Sequence, residues 1–305
     1  MTRPRRVAAW LAAVAAVVLV AAGILALAGD DTPERPAFAH GEVGRVPVDR
    51  LNRVLNAAEA ATTATSRQEL EAEGRALFRD QKRSKSGESC ESCHVGGGGA
   101  NADLGTIAHP RFEGDFRGPR DVPALWGAGR TGPWGWEGRS SDLEAFVTGT
   151  LVDHFRGGPG TPEVAGRRVA ALTAYLRGLR APRTTFDQGM LSPAARRGED
   201  LFQGKAGCMA CHGGPDLTDN QVQATGVPKV TPADTDPGAA RTGPLAGAFN
   251  TPQLRDLRNT APYMHNGSLR TLREVVDFYN TRSSVAPLRL TRPEVDDLIA
   301  YLEVL

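Results

Sequence analysis

The chain has 305 residues, of which 40% are hydrophobic and 23% charged, and this composition excludes a wholly disordered protein. Its 36 Lys and Arg residues balance 35 Asp and Glu residues, so the net charge is +1. Nucleic acid is therefore not expected as a partner, because phosphate binding needs a basic surplus or stripe. With 35 Gly and 21 Pro residues, long loops are expected between the regular elements.

The N-terminal segment has the pattern of an export signal or a membrane anchor. Three Arg residues among the first six positions precede an uncharged stretch from Val7 to Ala28, which ends in the small-x-small sequence Ala26-Leu27-Ala28. The stretch is also long enough to cross about 30 Å of hydrocarbon as a helix. We expect residues 1–28 to be a cleaved signal or a retained anchor, the only contact with a membrane. Residues 29–60 are expected to be a tether, and the rest of the chain to be periplasmic or otherwise extracytoplasmic.

The remainder of the chain contains an internal repeat. Gly74-Arg75-Ala76-Leu77-Phe78 and Gly198-Glu199-Asp200-Leu201-Phe202 each precede a Cys-x-x-Cys-His motif. Gly138 and Gly267 are each followed five residues later by a leucine. Each copy closes with an apolar helix face whose residues recur at offsets of three and four: Leu172, Tyr175, Leu176 and Leu179, and then Leu298, Tyr301, Leu302 and Leu305.

The two Cys-x-x-Cys-His motifs are the attachment signature of c-type heme. Two thiols form thioethers to the porphyrin, and the adjacent His binds the iron while a backbone carbonyl holds its other ring N–H. Disulfides, a four-thiolate zinc site and a redox dithiol are the alternatives. Zinc pairs usually lie about 15–20 residues apart, whereas 114 residues separate Cys93 from Cys208, and a dithiol does not need the His. We therefore predict two covalent hemes, held by Cys90, Cys93, His94, Cys208, Cys211 and His212.

The motifs and the repeat together predict the fold class. Alternating apolar and polar runs are scarce, so both copies are expected to be mostly α-helical with long loops. The predicted architecture is two tandem class I cytochrome c-like domains, residues 61–183 and residues 184–305, after the N-terminal signal or anchor helix.

Two further segments resemble a known family. Thr260-Ala261-Pro262-Tyr263-Met264-His265-Asn266-Gly267-Ser268-Leu269, and Trp136-Glu137-Gly138-Arg139 followed by Asp142-Leu143-Glu144, are similar to sequences of the bacterial diheme cytochrome c peroxidases and their relative MauG. The resemblance covers about residues 70–305 and does not separate the members by substrate. It implies a peroxide-reacting heme in the N-terminal domain and an electron-transfer heme in the C-terminal domain.

The resemblance also indicates the second ligand of the C-terminal heme. The peroxidases of this family place a Met fourteen residues after the His that matches His265. This chain has Tyr279 at that position, as MauG does. A phenolate ligand stabilises ferric iron. The alternatives are that Tyr279 only packs in the core, or that Met264 is the ligand. The internal repeat makes Thr150 the equivalent of Tyr279. Because Thr is a poor iron ligand, the N-terminal heme is expected to keep an open position for peroxide.

The remaining site residues are implied by the resemblance alone. Glu144 is expected to assist O–O cleavage as acid and base, unless it is a solvated residue at a helix start. His109 is expected to be a removable gating ligand, unless it is an exposed loop residue. Trp126 is expected to carry electrons between the hemes, with simple packing as the rival. The backbone carbonyls of Thr260 and Pro262 are expected to bind calcium, whose third protein ligand, an Asn in the family, is not placed.

These expectations lead to one function and two rivals. The leading hypothesis is a peroxidase that reduces hydrogen peroxide with electrons from a small cytochrome c or a cupredoxin. The first rival is a MauG-like oxidation of a side chain on a partner protein, which Tyr279 favours. The second is a diheme electron carrier without enzymatic activity. A homodimer is compatible with each of the three.

Overall fold

The structure is a computed structural model that describes residues 47–83, 87–98, 120–154, 160–232, 234–240, 242–285 and 287–305. The described chain is mostly α-helical, which confirms the predicted fold class. Its helices are α1 (Val48–Ala64), α2 (Arg67–Phe78), α3 (Cys90–Cys93), α4 (Val95–Gly98), α5 (Leu143–His154), α6 (Pro162–Gly178), α7 (Pro193–Gln203), α8 (Leu272–Thr281) and α9 (Arg292–Leu302). Short 3₁₀ helices span Gln81–Arg83, Cys208–Ala210 and Leu257–Asn259, and the strands β1 (Val222–Gln223) and β2 (Phe249–Asn250) pair antiparallel.

Helix α1 corrects the predicted tether. It lies largely inside residues 29–60 and packs on α6. Val54 and Ala58, four residues apart on one helical face, are only 1% and 2% exposed. A Cβ atom added to Gly166 of α6 would lie 2.5 Å from the Ala57 side chain, so the two helices cross in close contact. The prediction of a tether is therefore wrong for residues 48–60, because these residues bury an apolar face in the core.

The ends of the main helices are set by local capping. The Ser66 hydroxyl accepts the backbone N–H of Glu69, and the Glu69 carboxylate accepts the backbone N–H of Ser66, at the start of α2. Helices α6 and α7 begin with Pro after Thr161 and Ser192, whose hydroxyls accept backbone N–H groups in the first turn. These caps satisfy donors that a helix start leaves unpaired. They fix where each helix begins, and thus which face meets its neighbour.

The two halves of the chain, residues 47–183 and residues 184–305, use the same helix crossing. A Cβ atom added to Gly74 of α2 would lie 2.0 Å from the carbonyl oxygen of Ala171 on α6. A Cβ atom added to Gly198 of α7 would lie 2.1 Å from the carbonyl oxygen of Asp297 on α9. Only glycine permits so close an approach of backbones. The glycine of each repeated sequence motif therefore marks a helix crossing.

Aromatic pairs complete each crossing. The rings of Phe78 and Tyr175 lie 5.2 Å apart in the N-terminal half, and those of Phe202 and Tyr301 lie 5.4 Å apart in the C-terminal half. Such tilted pairs add stability to the area that they bury. Each half also has its own buried core, drawn from residues 54–179 in one half and residues 202–305 in the other. These separate cores support the proposal of two domains, with α1 added to the first.

A repeated turn precedes α5 and α8. Trp134 and Ser140 form an isolated antiparallel bridge, and Tyr263 and Leu269 form its counterpart. Gly138 and Gly267 occupy equivalent positions in these turns with φ of +65° and +63°, a conformation that favours glycine. The helices then start at equivalent leucines. The sequence match between these segments therefore reflects the same local structure in both halves.

The N-terminal stretch from Val7 to Ala28, predicted to be a signal or an anchor, lies outside the described residues. Within the described ranges, no helix combines the length and the apolar character needed to span a bilayer. The first described helix, α1, carries Asp49, Arg50, Arg53 and Glu59 and buries only one face.

Candidate heme sites and the junction between them

The first Cys-x-x-Cys-His motif forms the short helix α3, which Ser89 caps through the Ser92 backbone N–H. His94 follows directly, and its ring Nδ1 lies 3.0 Å from the carbonyl oxygen of Pro123. Burial raises the pKa of the Cys90 thiol to about 11. Because Nδ1 donates to the carbonyl, Nε2 of His94 keeps a lone pair for a metal.

The second motif forms a 3₁₀ turn entered through Gly207, whose φ is +62°. The Nδ1 atom of His212 lies 3.0 Å from the carbonyl oxygen of Leu217. Burial lowers the pKa of His212, while its hydrogen bonds to the carbonyls of Leu217 and Pro252 partly offset that effect. A neutral imidazole with its Nδ1 proton held by a carbonyl is the form that binds iron.

The donor set of both motifs fits c-type heme. All four cysteines are free thiols, which excludes the disulfide alternative in this structure. Among the described residues, no group of three or more His, Cys, Asp or Glu residues is placed to hold a metal ion, which disfavours the zinc alternative. Each motif thus offers two thiols for thioethers and one oriented imidazole for the iron.

Tyr279 lies beside the second motif. It projects from α8, and burial raises the pKa of its hydroxyl, which a hydrogen bond with Thr225 opposes. The thiols of Cys208 and Cys211 lie near enough to raise the pKa further, and Tyr279 and Cys208 pack against the same core. Met264 packs against the same core, and its carbonyl accepts the Gly267 N–H at 3.2 Å.

The position equivalent to Tyr279 is different in the N-terminal half. The Thr150 hydroxyl donates to the carbonyl oxygen of Phe146, one turn earlier in α5, at 3.0 Å. Its only hydroxyl proton is therefore used inside the helix. The two halves thus present unequal side chains toward equivalent sites.

Glu144 lies in the first turn of α5 and forms an ion pair with Arg177 of α6. The guanidinium donates to both carboxylate oxygens, at 2.5 and 3.0 Å. The Glu144 side chain is 25% exposed and that of Arg177 is 46% exposed. The carboxylate expected to move protons is therefore held by a cation that the sequence analysis did not identify.

Trp126 and Trp136 are both candidates for a tryptophan between the halves. Trp126 packs against the N-terminal core, and among the described residues its Nε1 has no hydrogen-bond partner. Trp136 instead donates from Nε1 to the carbonyl oxygen of Asp121 at 2.8 Å, while its own carbonyl accepts the backbone N–H of Asn250 at 2.7 Å. Trp136 is therefore the tryptophan that contacts both halves.

The contact of Trp136 has a symmetric counterpart. The backbone N–H of Asp121 donates to the carbonyl oxygen of His265 at 2.8 Å. Asp121 and Asn250 are equivalent in the repeat, as are Trp136 and His265. We call these four residues the junction. An alignment of the two repeats shows which of these residues are equivalent. Only the structure shows that they form hydrogen bonds between the halves.

Asp121 is a site residue that the sequence analysis missed. Its side chain is buried, burial raises its pKa to about 8, and no described cationic side chain pairs with it. The equivalent Asn250 donates from its amide to the carbonyl oxygen of Pro133 at 2.6 Å. An ionised carboxylate cannot donate in this way, so the same arrangement around Asp121 calls for a cation or a proton.

His109, predicted to be a gating ligand, lies outside the described residues. Thr260 and Pro262, whose carbonyls were predicted to bind calcium, lie in the turn before His265. This turn is the one that Asp121 contacts through its backbone N–H. The structure therefore brings Asp121 to the segment that carries these two residues.

Comparisons with known proteins indicate the family of the chain. The profile of the family described as di-haem cytochrome c peroxidase matches residues 68–180. Methylamine utilization protein MauG of Methylorubrum extorquens is 32% identical over 283 residues, which cover 76% of this chain and 76% of that protein. Cytochrome c551 peroxidase of Nitrosomonas europaea is 28% identical over 273 residues, covering 76% of this chain and 78% of that protein. A MauG-like protein associated with microbial copper homeostasis has a crystal structure that matches with a TM-score of 0.65 at 27% identity, over 77% of this chain and 87% of the other.

Relatives named as peroxidases and as MauG match the same share of the chain. Their common family is diheme, which accords with two c-type hemes at Cys90–His94 and Cys208–His212. The chain belongs to the di-haem cytochrome c peroxidase and MauG family, and it is an oxidoreductase of that family.

Proposed function

We propose that the protein is an exported peroxidase that reduces hydrogen peroxide to water with electrons from a small redox protein. The observation that carries the proposal is the inequality of the two halves. Tyr279 lies near the Cys pair of the C-terminal half and packs with Cys208 against the same core, whereas the equivalent Thr150 is hydrogen-bonded within its own helix. Thr150 would thus leave a position open for peroxide at a heme held by His94, whereas Tyr279 would cap a heme held by His212 that relays electrons.

Several residues of the chain have proposed parts in this reaction. The hemes, when bound, supply the redox chemistry that cleaves the O–O bond, while two electrons and two protons per peroxide give two waters. Glu144 takes a proton from one peroxide oxygen and returns it to the other. Trp136, because it contacts both halves, joins Trp126 as a proposed path for electrons. His94 and His212 would bind the irons through Nε2, because carbonyl oxygens hold their Nδ1 atoms.

A second function has one observation in its favour. Tyr279 stands where the peroxidases of the family have Met, and a phenolate ligand suits stored oxidising charge better than electron uptake. Relatives named MauG and MauG-like also match this chain, which favours the alternative proposal that the protein oxidises a side chain of a partner protein. In that case peroxide is consumed without oxidation of a small cytochrome.

A peroxide titration with and without reduced cytochrome c tests the proposal. The expected result is oxidation of two cytochromes for each peroxide consumed, with a change in the spectrum of the N-terminal heme. Peroxide consumption that leaves the cytochrome reduced would favour the oxidation of a partner protein. Two hemes that are reducible but stay low-spin in both oxidation states, and that do not react with peroxide, would identify an electron carrier and reject both enzymes.

We further propose that a calcium ion lies at the junction, bound by the Asp121 carboxylate and the carbonyls of Thr260 and Pro262. Pro262 is the repeat equivalent of Pro133, whose carbonyl accepts the Asn250 amide. The Asn250 amide donates to the Pro133 carbonyl, whereas the Asp121 carboxylate and the Pro262 carbonyl are both acceptors. A hard cation between these two acceptors satisfies both. Asp121 is thereby the ligand that the sequence did not place.

Removal of this carboxylate is expected to remove the ion. In the holoprotein, Asp121→Ala should lose bound calcium, measured by metal analysis after dialysis and by titration calorimetry with Ca²⁺. Asp234→Ala is the control. Asp234 lies in the C-terminal half and is buried like Asp121, but it is outside the proposed ligand set. Equal calcium content in the two variants would reject Asp121 as a ligand.

A further inference from the structure

A buried cluster of charged side chains joins the two halves beside the junction. Arg120 of the N-terminal half donates from Nε and Nη2 to the two carboxylate oxygens of Asp236 in the C-terminal half, at 2.8 and 3.0 Å. A third donor of the same guanidinium, Nη1, contacts Glu137. Glu137 also accepts from Arg139 at 2.9 Å. We call these four residues the clasp.

The clasp is shielded from water. The Arg120 side chain is 14% exposed and that of Asp236 is 2% exposed. Asp236 also accepts the backbone N–H of Gly238 at 3.0 Å. A charge-assisted pair with two parallel N–H bonds allows only one relative orientation of its partners, and burial keeps solvent from replacing either bond. The Arg120–Asp236 pair therefore fixes geometry as well as charge.

The clasp is adjacent in sequence to the junction. Arg120 directly precedes Asp121, and Glu137 directly follows Trp136. Two of the three N-terminal members of the clasp, Arg120 and Glu137, are thus covalent neighbours of residues that form hydrogen bonds with the other half. Movement of Arg120 away from Asp236 would pull on Asp121 and, through Glu137, on Trp136.

The internal repeat has an uncharged residue at the position equivalent to Arg120 of the clasp. The residue equivalent to Arg120 is Phe249, whose ring stacks on His265 with centroids 3.4 Å apart and planes inclined by 9°. One side of the junction is therefore held by an ionic pair between the halves, and the other by a ring stack within the C-terminal half. On the ionic side the link between the halves is a charged side-chain pair, whereas on the other side Asn250 donates to the backbone carbonyl of Pro133.

We propose that Arg120 is a positioning residue whose bond to Asp236 sets the docking of the two heme domains, and thereby the rate of electron transfer between the hemes. This inference rests on the proposed function, in which electrons must cross from the C-terminal heme to the N-terminal heme. Small displacements of reacting groups lower rates steeply, by up to about 100-fold for 1 Å. Arg120 acts through docking and takes no part in peroxide chemistry.

The test is the double variant Arg120→Met/Asp236→Leu in the full-length diheme protein. Removing both charges avoids leaving one of them buried without a partner. The intramolecular rate is measured optically after rapid one-electron reduction, together with heme content and the spectrum of each heme. We expect unchanged heme content and spectra, and an interheme rate that falls about tenfold or more.

The matched control is Arg197→Met/Asp297→Leu. This pair has the same two-bond geometry, at 2.7 and 2.7 Å, but both residues belong to the C-terminal half. The control should keep the wild-type interheme rate. If the clasp variant fails to hold heme, Arg120→Lys replaces it, because Lys keeps the charge but loses the two-bond geometry. This variant is also expected to slow the interheme step.

An interheme rate equal to that of the wild type in the clasp variants would overturn the proposal. So would an equal loss of rate in the control, since that result would indicate general destabilisation. The proposed function fails by a different measurement, namely the absence of peroxide turnover in a wild-type protein whose hemes exchange electrons. The two ideas can therefore be rejected separately.

Discussion

Replacement of Tyr279 by Phe is expected to change the C-terminal heme and leave the N-terminal heme as it is. The ring remains to fill its place in α8, so the loss is confined to the hydroxyl that lies near Cys208 and Cys211. Without a phenolate ligand the ferric state loses stabilisation, so the midpoint potential of this heme should rise. Optical redox titration and electron paramagnetic resonance measure both effects on the purified protein.

A second tyrosine provides the control. Tyr263 lies in the same half, and its hydroxyl donates to the carbonyl oxygen of Leu257 at 3.3 Å. Tyr263→Phe should therefore leave the spectrum of the C-terminal heme unchanged. Met264→Leu tests the rival ligand, and it should likewise have no effect on the coordination. An unaltered spectrum in Tyr279→Phe, or a change in Met264→Leu alone, would reject Tyr279 as the ligand.

The inequality of the two halves at Tyr279 and Thr150 could be predicted from the sequence because it depends on local patterns. The Cys-x-x-Cys-His motifs, the glycines of the helix crossings and the position of Tyr279 are all visible as short motifs at fixed spacing. Helix α1 was accessible by the same means, because Val54 and Ala58 share one face. The tether prediction covers most of this helix because the preceding Asp30, Asp31, Pro33 and Pro36 are typical of a linker.

The junction and the clasp could not be predicted in this way. Asp121 contacts His265, and Arg120 contacts Asp236, across more than 100 residues of sequence. No hydrophobic period or turn signal reports contacts between residues so far apart, since they depend on how two finished domains meet. Trp136 was assigned no role for the same reason, although its repeat equivalent, His265, belongs to the most recognisable motif.

The ion pair of Glu144 is a further contact of this kind, and it shapes the outcome of Glu144→Gln. If Glu144 moves the peroxide proton, the variant should lose about 100-fold to 10,000-fold in turnover, because an amide cannot accept that proton. Steady-state peroxide consumption with reduced cytochrome c measures the loss. Heme content and the resting spectra should stay those of the wild type, since Gln keeps the size of the side chain.

Arg177→Gln separates this role from a structural one. Both variants break the same half-exposed ion pair, which contributes about 0.5–1 kcal/mol to the free energy of unfolding. Only Glu144→Gln also removes the carboxylate. A base in the peroxide reaction must be released from Arg177 before it can accept a proton, so Arg177→Gln should retain turnover or increase it. Equal losses of turnover in the two variants would show that the pair is structural and that the proton is moved by another group.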